Sequence, residues 1–81
     1  MPKVGQKVFS GKEVVEILVK YFGFVVVKQK GSHVKCRKEI NGKKITTIVP
    51  QHKELSPGTF ASALNLAKIN KEEFLIVVNR K

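Results

Sequence analysis

The sequence predicts an α+β fold in which one helix is followed by three antiparallel strands and then by further helices. Three local signals support this prediction. Ser10 and Glu13 form a capping box that starts a helix. Asn41-Gly42 is a strong hairpin turn between two alternating segments, and Ser56-Pro57 is typical of the start of another helix. Because consecutive antiparallel strands share one apolar face, both main helices are expected to pack on it.

The first helix is predicted over residues 10–22. In the capping box, each side chain accepts a hydrogen bond from the backbone N–H of the other residue. Apolar residues then recur at helical spacing, at Val14, Ile17, Leu18 and Tyr21. Gly23 suits the left-handed backbone that often ends a helix.

Three strands are predicted over residues 24–29, 33–39 and 44–49. The first is rich in β-branched residues, the second alternates cleanly, and Pro50 stops the third. Residues 30–32 form the first tight turn. If Asn41-Gly42 is a two-residue loop, position i opposes position 83 − i. Val34 then faces Val49, Cys36 faces Thr47, and Glu39 faces Lys44.

This register divides the sheet into a buried face and an open face, because successive side chains of a strand point to opposite sides. The buried face is expected to hold Val34, Cys36, Ile45, Thr47 and Val49, together with Val25 and Val27 of the first strand. The open face is expected to hold His33, Lys35, Arg37, Thr46 and Ile48, together with Lys28 and Lys30. A slip of one residue would reverse this assignment.

Two helices are predicted after the sheet. The first begins at Ser56-Pro57, and its apolar stripe consists of Phe60, Ala63, Leu64 and Ala67. Residues 70–73 predict another helix start, which Phe74 and Leu75 would anchor in the core.

Length and charge restrict the function. The 81 residues are expected to form a single domain, with its core in residues 10–75, which excludes a two-domain enzyme with a large cofactor cleft. The net charge is +10, and residues 23–49 hold seven Lys or Arg against one Glu. A positive field of this size predicts a polyanionic partner, which can be a nucleic acid, an acidic membrane or an acidic protein.

Other classes of protein are disfavoured. The single Cys excludes an internal disulfide, and no His, Cys and Glu set has a convincing metal-ligand spacing, so we expect neither a metal nor another cofactor. The N-terminus lacks the apolar core of a signal peptide, and no segment is long enough to span a membrane. The protein is therefore expected in the cytoplasm, without membrane contact.

Two histidines are the candidates for proton transfer near neutral pH. His33 begins the second strand on the basic open face, where its imidazole can take a proton from an RNA 2′-hydroxyl while nearby cations hold the phosphate. His52, in the loop after the third strand, is a candidate RNA contact. Each is also compatible with an ordinary surface histidine. Ser32 is more consistent with a backbone or RNA contact than with a nucleophile, and Cys36 with a small core residue.

Several features resemble the HicA toxin family, also called YcfA-like. They are, in chain order, Gly11-Lys12-Glu13-Val14-Val15, Ile17-Leu18, Gly23-Phe24, Gln29-Lys30-Gly31-Ser32-His33, Ile48-Val49-Pro50, His52, Lys53-Glu54-Leu55, Gly58-Thr59 and Asn70-Lys71-Glu72-Glu73-Phe74-Leu75. The similarity covers residues 10–75, and the Gly-Ser-His turn followed by Val-Pro-x-His is its most specific part.

The resemblance implies a double-stranded-RNA-binding-domain-like α-β-β-β-α fold and a metal-independent endoribonuclease that cleaves mRNA and arrests translation. It implies that His33 is catalytic, that the family's second histidine corresponds to His52, and that a HicB antitoxin covers the active surface. The expected RNA contacts are Lys28, Lys30, Ser32, Lys35, Arg37 and His52. The alternative is a non-catalytic RNA-binding module with the same basic sheet.

Overall fold

The computed structural model describes residues 8–80 and has the predicted order of elements. The elements are α1 (Gly11–Tyr21), β1 (Val25–Lys30), β2 (His33–Ile40), β3 (Lys43–Pro50), α2 (Pro57–Leu66) and α3 (Lys71–Arg80). The strands form one antiparallel sheet in the order β1-β2-β3. The α+β prediction is confirmed. Within residues 8–80, no helix is both long and apolar enough to cross a membrane. Most of the N-terminal stretch inspected for a signal peptide, residues 1–7, lies outside the described residues.

The predicted helix ends are present. Ser10 and Glu13 exchange the two capping hydrogen bonds, each 3.0 Å long, and Gly23 has a φ of +78° after the end of α1. At α2, the Ser56 hydroxyl accepts from the backbone N–H of Thr59 at 3.2 Å. Tyr21 is exposed, so the buried stripe of α1 ends at Leu18.

The β2–β3 register is the predicted one. Val34 pairs with Val49, Cys36 with Thr47, and Glu39 with Lys44. Asn41 and Gly42 have φ values of +51° and +79°, and positive φ at both turn residues is what a type I′ hairpin turn requires. Every member of the predicted buried face on these two strands is buried or half-buried.

The prediction for β1 is wrong, because Val25 and Val27 are exposed. A bulge lies between Val26 and Lys28, so the pairing shifts by one residue: Val25 lies opposite Arg37 on the open face, and Val26 lies opposite Cys36. All six residues of β1 are exposed. The helices pack mainly on β3, and the strand at the opposite edge of the sheet stays largely exposed.

The core lies between the sheet and the helices. Phe74 of α3 is fully buried and packs against the rings of Phe9, Phe60 and Phe22, with centroid distances of 5.4, 5.4 and 6.2 Å. The predicted stripe of α2 is buried in full. Thr47, 1% exposed, donates its hydroxyl to the Ala63 carbonyl at 2.7 Å, which joins β3 to α2. This packing leaves the other face of β2 and β3 facing solvent.

Candidate nucleic-acid interface

Cations surround His33 on the open face of the sheet. His33 is exposed and lies between Lys30 of β1 and Pro50 of β3 in the same cross-strand row. In the next row, Lys35 lies beside Lys28. Side chains directly opposite each other on antiparallel strands have Cβ atoms about 4.5–5.5 Å apart. The imidazole is therefore adjacent to one lysine and one row away from two others.

The positive charge of this face is concentrated on β1 and β2. Arg37 forms the third row with Val25 and Thr46, and the β3 neighbour of Lys35 is Ile48. The β3 side of these three rows is thus uncharged. A polyanion that follows the cations would lie along β1 and β2, with its less polar parts toward β3.

Arg37 is half-buried at the centre of the face. Its Nε is shielded from solvent and has no hydrogen-bond partner among the described residues. A guanidinium has five N–H donors in a planar fork that matches phosphate geometry. The Nε of Arg37 is therefore an N–H donor that no described protein group uses.

The other cations of residues 23–49 lie elsewhere. Lys38 lies on the helix side of β2, with its Nζ 5.1 Å from the centre of the Phe24 ring. Lys43 and Lys44 are exposed on β3 beside the Asn41-Gly42 turn, at the opposite end of the sheet from His33. The cations near the histidine are therefore the four that the alternation predicts: Lys28, Lys30, Lys35 and Arg37.

A backbone contact brings the segment of His52 to the turn before His33. Gln51 donates its backbone N–H to the carbonyl oxygen of Ser32, and Gly11 donates its N–H to the carbonyl oxygen of His52 at 2.9 Å. Gly31 holds the turn with a φ of +57°. Both histidines are exposed. The fold thus brings the two histidine-bearing segments together at one end of the sheet.

Gly11 is a positioning residue that the sequence analysis did not identify. A Cβ at this position would overlap the Pro50 carbonyl oxygen and lie 2.8 Å from the Gln51 Cα. The close approach of α1 to the segment after β3 therefore requires glycine. The only signal in the sequence is a glycine directly after a helix N-cap, and that signal does not reveal a contact with a segment about forty residues away.

The other candidates for chemistry lie away from this face. Cys36 is on the helix side of β2 with no exposed surface, and burial raises the pKa of its thiol. The thiol is therefore protonated, as expected of a core residue. Among residues 8–80, no three His, Cys, Asp or Glu side chains are grouped closely enough to hold a metal ion.

Comparison with models of protein families identifies a similar family. The family model described as "HicA toxin of bacterial toxin-antitoxin" matches residues 11–69, from the start of α1 to just beyond α2. The match includes the whole open face and both histidines. No curated protein and no solved structure matches the chain.

Proposed function

The chain belongs to the HicA toxin family of bacterial toxin–antitoxin systems, and we propose that it is a metal-independent endoribonuclease that cleaves mRNA and so arrests translation. Family membership makes the chain a toxin with an antitoxin partner. RNA cleavage, its catalytic residue and the identity of the antitoxin are the proposal.

The observation that carries this proposal is the position of His33. It is an exposed imidazole in a row with Lys30, next to the row of Lys28 and Lys35, at the end of the sheet where the His52 segment lies. A proton acceptor beside fixed positive charge is the combination that cleavage of a phosphodiester by its own 2′-hydroxyl requires.

In the proposed step, the His33 imidazole removes the proton of a ribose 2′-hydroxyl. The 2′-oxygen attacks the adjacent phosphorus, the bond from phosphorus to the 5′-oxygen of the next nucleotide breaks, and that oxygen takes up a proton. The products are a 2′,3′-cyclic phosphate and a 5′-hydroxyl. The electrons of the new P–O bond come from the 2′-oxygen, and the leaving oxygen keeps those of the old one, so the step needs no oxidant or reductant.

The cations have two roles in this step. Lys30, adjacent to His33, stabilises the charge that develops on the phosphate oxygens. Lys28, Lys35 and Arg37 bind the phosphates that follow along the strand. Residues two apart in β2 are about 6.6 Å apart, which is close to the spacing of successive phosphates in an extended nucleic-acid strand.

Ser32 and His52 complete the proposed site. Ser32 directly precedes His33 and is exposed, and the bond from the Gln51 N–H to its carbonyl holds the turn against the His52 segment. Its hydroxyl contacts RNA in this proposal. His52 contacts RNA from the adjoining segment. The proton for the 5′-oxygen comes from His52 or from water, and the variant His52→Ala separates these two sources by the size of its rate loss.

The experiment compares wild type with His33→Ala on a defined 5′-labelled transcript, with and without EDTA. We expect EDTA to leave the wild-type rate unchanged and His33→Ala to lower it by about 10²- to 10⁴-fold, the usual contribution of a general base or acid. Lys71→Ala, which removes an exposed cation on α3 far from this face, is the control and should cleave as wild type does.

Two results would contradict the proposal. Wild-type cleavage that disappears with EDTA would remove the metal-free mechanism, and undiminished cleavage by His33→Ala would remove His33 from its role. If wild type binds RNA in a salt-dependent manner but leaves it intact after long incubation, the chain is a non-catalytic RNA-binding module.

The antitoxin is proposed to be of the HicB type and to inhibit by covering the open face. Acidic groups over Lys28, Lys30 and Lys35 would neutralise the field that attracts RNA. In a gel-shift titration, the preformed toxin–antitoxin complex should not bind the transcript. A complex that still binds RNA as tightly as the free toxin would exclude this mode of inhibition.

A further inference from the structure

The outer edge of β1 is an unusual surface for a small soluble domain. Val25, Val26 and Val27 are 58%, 48% and 41% exposed. Val25 and Val26 lie on opposite faces of the sheet, so neither face of β1 is covered here. No strand pairs with the outer side of β1 among the described residues. An edge of this kind offers unpaired backbone N–H and C=O groups together with apolar side chains.

The other edge strand of the sheet shows that this exposure is particular to β1. β3 is also an edge, but Thr47 and Val49 on its helix side are buried beneath the helices. On the same side of β1, Val26 and Gln29 are exposed. The helices therefore cover the helix side of the β3 edge and leave the β1 edge exposed.

A second copy of the chain does not suit this edge. Two antiparallel β1 strands would bring Lys28 and Lys30 of one copy close to the same lysines of the other, within a molecule of net charge +10. Lysines on an edge strand are a device that prevents identical edges from associating. The edge is suited to a strand that carries negative charge.

We propose that the antitoxin adds a strand to the outer edge of β1, through main-chain hydrogen bonds, and that this strand is acidic on one face and apolar on the other. This inference rests on the membership of a toxin–antitoxin family and deepens the proposed inhibition, because it names the edge that the inhibitor uses. Strand addition obtains affinity from the main chain and specificity from alternate side chains.

The pattern of the added strand follows from the two faces of β1. On the open face, carboxylates of the partner lie beside Lys28 and Lys30, the lysine next to His33. On the helix side, an apolar residue lies beside Val26. The strand therefore covers valines and neutralises the cations nearest to the proposed active site in the same contact.

The test measures the contact of His33→Ala toxin with the purified cognate antitoxin by amide hydrogen exchange and by affinity. The His33→Ala background is used because it is expected to remove toxicity. Exchange and affinity do not depend on RNA cleavage, so failure here is distinguishable from failure of the proposed nuclease activity. The alternate β1 amides that are not bonded to β2 should exchange more slowly when the antitoxin is bound.

Two substitutions at one position distinguish the charge of the partner. Val25→Glu should weaken antitoxin binding by about tenfold or more, because Val25 lies on the open face of this edge, where a new carboxylate repels the acidic side of the added strand. Val25→Lys removes the same valine without the repulsion and should weaken binding less. Ile76→Glu, at an exposed residue on α3, is the matched control and should bind as the unsubstituted chain does.

Three results would overturn the proposal. The first is unchanged exchange of residues 25–30 in the complex while residues 33–37 of β2 become more protected. The second is a dimer of the free toxin with protection in β1, which would assign the edge to a second copy. The third is equal weakening by Val25→Glu and Ile76→Glu, which would show an effect of charge alone.

Discussion

The two faces of the β2–β3 hairpin have opposite properties although they share one backbone. Val34 and Cys36 of β2 are buried beneath the helices, whereas His33, Lys35 and Arg37, which alternate with them, lie on the open face. On the helix face, packing determines which residues are tolerated. On the open face, charge does. Adjacent substitutions on one strand should therefore affect different properties, stability on one face and RNA chemistry on the other.

The separation is incomplete at one place. The N-terminus of α1 belongs to the helix layer, but Gly11 contacts the segment that carries His52. This contact couples the packed side of the molecule to the histidine end of the open face, so a substitution at Gly11 is expected to affect both.

Gly11→Ala should have the largest effect, because it is expected to lower both stability and cleavage. The added Cβ overlaps a backbone carbonyl that a side-chain movement cannot relieve, so we expect a loss of about 3 kcal/mol in the free energy of unfolding. Urea unfolding and the cleavage assay measure the two effects. Gly58→Ala, where nothing lies within 4 Å of the new Cβ, is the control. Normal stability of Gly11→Ala would contradict the close approach.

Val49→Ala and Ile48→Ala compare the two faces at neighbouring positions of β3. Val49 has no exposed surface and Ile48 is 44% exposed. We expect the first substitution to cost about 2 kcal/mol in unfolding free energy and the second less than about 1 kcal/mol, because only the first leaves a cavity. Equal losses in urea unfolding would mean that the open face is covered in the folded protein.

Thr47→Val and Thr46→Val repeat the comparison for a polar residue. The Thr47 hydroxyl bonds the Ala63 carbonyl, which also accepts the N–H of Ala67, so its loss leaves no carbonyl unpartnered. We expect Thr47→Val to cost about 1 kcal/mol. Thr46, half-buried on the open face, should tolerate valine within about 0.5 kcal/mol. A larger loss for Thr46→Val would reverse the assignment of faces.

The smallest effect concerns the pH dependence of stability. Burial raises the pKa of the Cys36 thiol in the folded state, so the unfolded chain loses this proton at a lower pH. The thiol therefore contributes a loss of stability as pH rises above the ordinary cysteine pKa of about 8.5. Unfolding at pH 8 and at pH 10 should show a steeper decline for wild type than for Cys36→Ala. Equal declines would indicate a hydrated thiol.

The sequence predicted the register of the β2–β3 hairpin correctly but not the faces of the β1 valines. Asn41-Gly42 sets a two-residue loop, and one loop length determines every pairing between β2 and β3. Nothing in the Val25-Val26-Val27 run marks a bulge, and valine suits both faces of a strand. The bulge and the exposure of β1 arise from tertiary packing.

The placement of the candidate site residues on the sheet was predicted to a similar extent. Alternation placed Lys35 and Arg37 on the face of His33, and the structure agrees because the helices cover the other side. The approach of the His52 segment to the Ser32 turn depends on a backbone hydrogen bond between Gln51 and Ser32. The contact of Gly11 depends on how closely the start of α1 passes the segment after β3. Local patterns do not report either of these.

The most direct test of the account compares two neighbouring residues of β2, His33 and Val34, which lie on opposite faces. Single-turnover cleavage of a defined transcript and urea unfolding are measured for His33→Ala and Val34→Ala, with the rate expressed per folded molecule. We predict that His33→Ala loses about 10²- to 10⁴-fold in rate and less than about 0.5 kcal/mol in stability. Val34→Ala should lose about 2 kcal/mol in stability and keep the wild-type rate. A His33→Ala protein that is folded and still cleaves at the wild-type rate would show that His33 is not catalytic.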